Sequence, residues 1–127
     1  MDLPVNHFKR ALASGKAPVG TWLMSGAPAT AEALGCAGFD FLVVDMEHVP
    51  IDVAEMIALL RTIAGTPAQA IVRPPWNDNV MVKRAMDAGA ISLLGLTALG
   101  GQGEPLRTRP AARCLWEGHR VPRSARA

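Results

Sequence analysis

The chain has 127 residues, half of them hydrophobic, with 13 Lys+Arg against 11 Asp+Glu, so it holds one domain at most and enough apolar content for a packed core. No stretch approaches the roughly 18 apolar residues of a membrane span, and Asn6, His7, Lys9 and Arg10 break up any signal-peptide apolar core, so a cytoplasmic protein with no membrane partner is expected. The overall charge of +2 conceals an acidic body and a basic tail: residues 1–94 carry a net −2 and residues 95–127 a net +4. Cys36 and Cys114 form no metal-type spacing with each other or with the histidines, and two thiols in a cytosolic chain are normally reduced, which argues against a disulfide or a zinc site.

Residues 19–24 read as a short strand and residues 30–34 as a short helix that ends in the small residues 35–38. Residues 39–45 form a near-continuous apolar run, the pattern of a strand buried on both faces. Asp52 then caps a helix, with Glu55 in the capping-box position and Val53, Met56, Ile57, Leu60 and Ile63 on one side; Gly65 closes it. Residues 68–72 are a third strand, Asn77 or Asp78 caps a helix running to about Asp87, and residues 91–94 begin a fourth strand after an Ala-Gly-Ala turn. Strand and helix in alternation predict an α/β fold of right-handed βαβ units on a parallel sheet, too few to close a barrel.

Two strands end in chemistry. The run from Phe39 delivers Asp45, Glu47 and His48, and the run from Ala68 ends in Arg73, Pro74, Pro75 and Trp76. In parallel α/β folds, reacting groups sit at the carboxyl ends of strands. His48 is the natural base, since an imidazole titrates near neutrality, and Arg73 offers a planar fork of donors to a carboxylate or an enolate oxygen. Plainer roles exist for each residue. His48 could be a structural histidine, and Asp45 and Glu47 could cap the loop. Joint metal ligation by Asp45, Glu47 and His48 needs a bend, because neighbours on a strand point to opposite faces. Arg73 could be a rim ion-pair partner, Trp22 and Trp76 packing residues at the mouth, and Asp87 a solvated acid. His7 and His119 have no constellation.

Several stretches stand in an order and spacing that resemble one family across residues 6–94. They are Gly20-Thr21-Trp22-Leu23; Ala31-Glu32 with Gly38-Phe39-Asp40; Val44-Asp45-Met46-Glu47-His48-Val49-Pro50; Val72-Arg73-Pro74-Pro75-Trp76-Asn77-Asp78; and Lys83 with Met86-Asp87-Ala88-Gly89-Ala90. The chain resembles the HpcH/HpaI aldolases, metal-dependent class II enzymes that cleave 2-keto-4-hydroxy acids to pyruvate and an aldehyde and take part in the catabolism of aromatic compounds. The resemblance implies the first three to four βα units of a TIM (β/α)8 barrel over residues 1–94. It implies His48 as base, Asp87 as the residue that strengthens it and Arg73 as stabiliser of the transition state; Arg73 and Trp22 are the candidate substrate-binding residues. Asp45, at the same strand end as His48, is a further candidate catalytic residue that could hold a metal-bound water or the imidazole. A divalent metal, Mg2+, Mn2+ or Co2+, is implied as electron sink, but the family's Glu and Asp ligands lie on later strands, so no metal ligand is assigned in this chain. Glu104 and Glu117 do not replace them. The implied partner is a small keto acid, full-length relatives form homo-oligomers, and the aldolase activity of this chain is expected to be impaired.

Residues 95–127 do not match. Gly, Ala, Arg and Pro make up 19 of these 33 residues, with neither helical nor strand period, so the segment cannot bury enough apolar surface to offset its ordering entropy. It reads as a disordered basic tail or, preferably, as GC-rich codons translated out of frame near Ser92 to Gly95. The alternative to an aldolase is a non-catalytic half-barrel that binds or self-associates. A nucleic-acid partner is disfavoured by the acidic body and the lack of aromatic residues among the arginines.

Overall fold

The structure, a computed structural model, describes residues 5–76 and 78–94. Its elements in chain order are α1 (His7–Ala13), β1 (Gly20–Leu23), α2 (Pro28–Gly35), β2 (Phe41–Asp45), α3 (Val53–Ala64), β3 (Gln69–Arg73) and α4 (Asn79–Asp87). The three strands lie in the order β1-β2-β3, all parallel, with Leu23, Val44 and Val72 in one row and Asp45 beside Arg73 at the end. The expected fourth strand begins as a parallel bridge of Leu93 to Val72, in which Val72 N donates to Ser92 O at 3.0 Å and Leu94 N to Val72 O at 2.8 Å. This is the α/β architecture of the opening units of a (β/α)8 barrel. Residues 95–127, and with them the tail expected to be disordered or frameshifted, lie outside the described residues, as does Asn77.

Strand parity sorts the sheet into two faces. Leu23, Leu42, Val44 and Val72 pack with Ala31 of α2 and Met56, Leu59, Leu60 and Ile63 of α3 in one apolar core, most of them fully buried. The opposite face carries Gly20, Phe41 and Gln69 in one row, Trp22, Val43 and Ile71 in the next, and Asp45 and Arg73 in the last. That second face is the one that would line a barrel, and its polar row is at the carboxyl end.

Helix α3 carries the expected capping box: Glu55 N donates to Asp52 Oδ1 and Asp52 N to Glu55 Oε2, both at 2.8 Å. Its buried face is rotated from the expected one, with Leu59 fully buried and Val53 and Ile57 only partly so, because α2 as well as the sheet covers it. Helix α2 starts at Pro28, whose missing N–H costs nothing at a helix start. Asp78 caps α4 by accepting from Val80 N and Met81 N at 2.7 and 3.1 Å. Gly89 follows α4 at φ +102°, a conformation that side chains with a Cβ resist.

Helix α1 was not expected. It has no buried residue within it and is held by its flank: Asn6 Nδ2 donates to Ile91 O at 3.1 Å and Ser92 Oγ at 2.8 Å, Gln69 Nε2 to Asn6 Oδ1 at 3.0 Å, and Phe8 N to Gln69 Oε1 at 2.9 Å. The Phe8 and Phe41 rings meet edge to face, 4.9 Å between centroids. Gly20 makes room for this, since a Cβ there would collide with the Phe41 ring and carbonyl. Together these contacts cover the amino-terminal end of the sheet and leave the carboxyl end as the mouth.

Candidate active site

The mouth is organised by Asp45, the last residue of β2, whose exposure is 2%. Its Oδ1 accepts from Glu47 N at 2.9 Å and His48 N at 3.2 Å, a side-chain-to-backbone turn that bends the chain as soon as the strand ends. Met46 N donates to Arg73 O at 2.9 Å, which ties the same bend to β3. A buried carboxylate survives only with compensation. Here two backbone N–H groups and a guanidinium supply it.

That guanidinium belongs to Arg73, the register partner of Asp45. Arg73 Nη1 lies 3.6 Å from Asp45 Oδ2, and Arg73 Nε forms a close ion pair with Glu47 Oε2. The carbon of the fork stands 5.3 Å from the Trp22 ring centroid, a cation–π contact from β1. Arg73 and Glu47 are mostly buried, at 17% and 13% side-chain exposure. Glu47 Oε2 is buried and accepts no hydrogen bond of good geometry, so the charge of Arg73 is what compensates it. One cation thus answers two carboxylates, and the cluster carries one net negative charge.

The structure therefore brings together Asp45, Arg73 and Trp22 from three adjacent strands. His48 lies on the loop that Asp45 organises, with an exposed side chain. Trp76, just past β3, is 65% exposed. Asp87 lies elsewhere, as the last residue of the helix leading away from the mouth, and its carboxylate pairs with Lys83 Nζ at 2.5 Å on an exposed face. Among the described residues no hydrogen bond or ion pair joins Asp87 to His48.

Glu47 is the site residue that the sequence reading passed over as a loop cap. No local signal marks it, because β2 ends at Asp45 and the chain turns there, so strand parity does not carry to position 47. Among the described residues no group of three His, Cys, Asp or Glu side chains converges on a common point. Asp45 and Glu47 are both committed to Arg73, so these residues do not by themselves fit a divalent cation.

Known proteins share this arrangement of strands and motifs. Over 94 residues the chain is 47% identical to a hydroxypyruvate/pyruvate aldolase of Agrobacterium fabrum, covering 74% of this chain and 35% of that protein. Over 78 residues it is 55% identical to a 2-dehydro-3,6-dideoxy-6-sulfogluconate aldolase of Pseudomonas putida, covering 61% and 31%. Among solved structures, an HpcH/HpaI aldolase/citrate lyase family protein from Burkholderia cenocepacia J2315 superposes with a TM-score of 0.68 at 41% identity, over 72% of this chain and 37% of that one. The chain spans about a third of the length of the curated relatives it matches. Residues 19–94 match the model of the HpcH/HpaI aldolase/citrate lyase family, and by that match, which takes in both strand ends and the loop between them, the chain belongs to this family.

Proposed function

We propose that the mouth of this sheet is the proton-handling and anion-holding part of a site for retro-aldol cleavage of a 2-keto-4-hydroxy acid to pyruvate and an aldehyde. The observation that carries this reading is the Arg73 guanidinium, fixed at the strand ends beside the loop that exposes His48. The aldolase names of the relatives point the same way.

In this reading the His48 imidazole takes the proton from the C4 hydroxyl. The O–H electron pair forms the new aldehyde C=O, the C3–C4 bond breaks, and its pair moves through C2–C3 onto the keto oxygen, giving the enolate of pyruvate. The imidazolium then returns the proton to C3, completing pyruvate. Arg73 donates to the substrate carboxylate or to the enolate oxygen as charge develops. Asp45 holds the backbone N–H of His48, so it sets where the base stands. Trp22 forms the wall behind the guanidinium.

A Mg2+, Mn2+ or Co2+ ion would supply a Lewis acid for the keto oxygen, but the carboxylates described here face Arg73 and do not fit it. Arg73 shares its charge with two carboxylates, so its pull on the enolate is weakened, and turnover by this polypeptide is expected to be slow or absent.

Titration of the 15N-labelled chain with pyruvate tests the site. Amide shifts are expected to cluster at Met46, Glu47, His48 and Arg73 and to vanish in Arg73→Ala; scattered or absent shifts would overturn the reading. Release of pyruvate, followed with lactate dehydrogenase, is expected to stay near background. Brisk release that His48→Ala abolishes would refute the expected impairment.

A further inference from the structure

Helix α1 is fastened to the molecule at its entry. It carries no buried residue, and His7, Phe8 and Ala11 face a cleft of about 350 Å3 lined on its other side by Pro18, Phe39 and Asp40. A helix so poor in buried contacts does not hold itself down by packing. What holds it is Asn6, its capping residue, together with Phe8.

The side chains of Asn6, Gln69 and Ser92 form a closed network. Asn6 Nδ2 donates twice, to Ile91 O at 3.1 Å and Ser92 Oγ at 2.8 Å, and Gln69 Nε2 donates twice, to Asn6 Oδ1 at 3.0 Å and Ser92 Oγ at 3.2 Å. Gln69 Oε1 accepts from Phe8 N at 2.9 Å, and Asn6 Oδ1 accepts from Lys9 N at 2.8 Å. Both amide groups thereby use every donor they have. Ser92 is 3% exposed, so water does not readily replace a partner lost there. Such a network is stable when complete and costly when half-satisfied, which keeps its members together or releases them together.

The backbone of Ser92 holds the start of the fourth strand. Val72 N donates to Ser92 O at 3.0 Å, and Leu94 N donates to Val72 O at 2.8 Å, one residue before Arg73. The side chains that fasten α1 therefore also fix where the fourth strand lies on β3.

We propose that α1 is a latched strap: Asn6 ties it to the first residues of the fourth strand, and the two open from the sheet as one unit. This is independent of the keto-acid reading. It couples the amino-terminal helix, at one end of the sheet, to the strand that borders Arg73 at the other.

Native-state amide exchange of the 127-residue chain over a urea series tests the coupling. The Phe8 and Leu94 amides are expected to open with one population and one urea dependence, and the β2 amides to exchange at least about tenfold more slowly. Asn6→Ser keeps an acceptor for Lys9 N and removes the amide that reaches the fourth strand. In this variant both amides are expected to exchange about tenfold faster, the scale of one or two lost hydrogen bonds, and no longer to share one population. Ser92→Ala, which leaves α1 untouched, is expected to speed Phe8 by a similar factor.

Different opening populations for Phe8 and Leu94 in the parent chain would overturn the proposal, and so would exchange of both only in step with β2, since α1 would then be part of the core. An Asn6→Ser variant in which Leu94 is unchanged would reduce Asn6 to a helix cap and overturn it as well. Should the variants fail to fold, the parent chain alone decides.

Discussion

Replacing Asp45 with alanine probes whether one carboxylate organises the mouth. The substitution leaves Glu47 N and His48 N without their acceptor and removes one of the two counter-charges on Arg73. A part-buried N–H that loses its partner costs about 1–2 kcal/mol. The bond to His48 N, longer at 3.2 Å, contributes less, about 0.5 kcal/mol. The 3.6 Å ion pair adds about 0.5 kcal/mol, since Glu47 stays on Arg73. The total is a loss of about 2–3 kcal/mol, which lowers the urea midpoint by about 1–2 M for a domain of this size. Asp45→Asn keeps the Oδ1 acceptor and loses mainly the charge, so it is expected to lose about 1 kcal/mol. Urea unfolding followed by circular dichroism measures both. An alanine variant within about 0.5 kcal/mol of the parent would show that water serves these amides and that the turn does not hold the loop. An asparagine variant as unstable as the alanine one would show that charge, not the acceptor, is what counts.

Two further substitutions test the frame around the site. Gly20→Ala places a methyl group against the Phe41 ring and is expected to cost about 1–3 kcal/mol and to perturb the Phe8 ring resonances; an unperturbed Phe8 would contradict the packing described for the amino-terminal end of the sheet. Asp52→Ala removes the capping box of α3 and is expected to cost about 1 kcal/mol, with amide exchange accelerating first at Glu55 and its neighbours.

Features set within a few residues were legible in advance. The capping box of Asp52 and Glu55, the cap at Asp78, the apolar run of β2 and the rhythm of βα units all follow from local spacing, and the structure contains them. Features set by contacts across the chain were not. Helix α1 carries no buried residue to announce it, and its anchors, Gln69 and Ser92, lie 63 and 86 residues from Asn6. The buried side of α3 is Met56, Leu59, Leu60 and Ile63, one regular helical face; that Leu59 rather than Val53 or Ile57 belongs to it was decided by where α2 and the sheet lie.

The sequence by itself determined that an acid, an imidazole and a guanidinium stand at strand ends, because strand boundaries and the order of residues along them are local properties. It also determined the family, whose motifs lie in Val44-Asp45-Met46-Glu47-His48 and Val72-Arg73-Pro74-Pro75-Trp76. Only the tertiary structure decided which of these groups meet. Asp45 faces Arg73 because of the β2–β3 register, and Trp22 reaches the guanidinium because β1 lies on the other side of β2. Glu47 changes from a loop residue into the buried partner of Arg73 once the Asp45 turn folds it inward. Register and turn geometry are settled by the packing of both sheet faces at once, and a shift of one residue would send every one of these side chains to the opposite face.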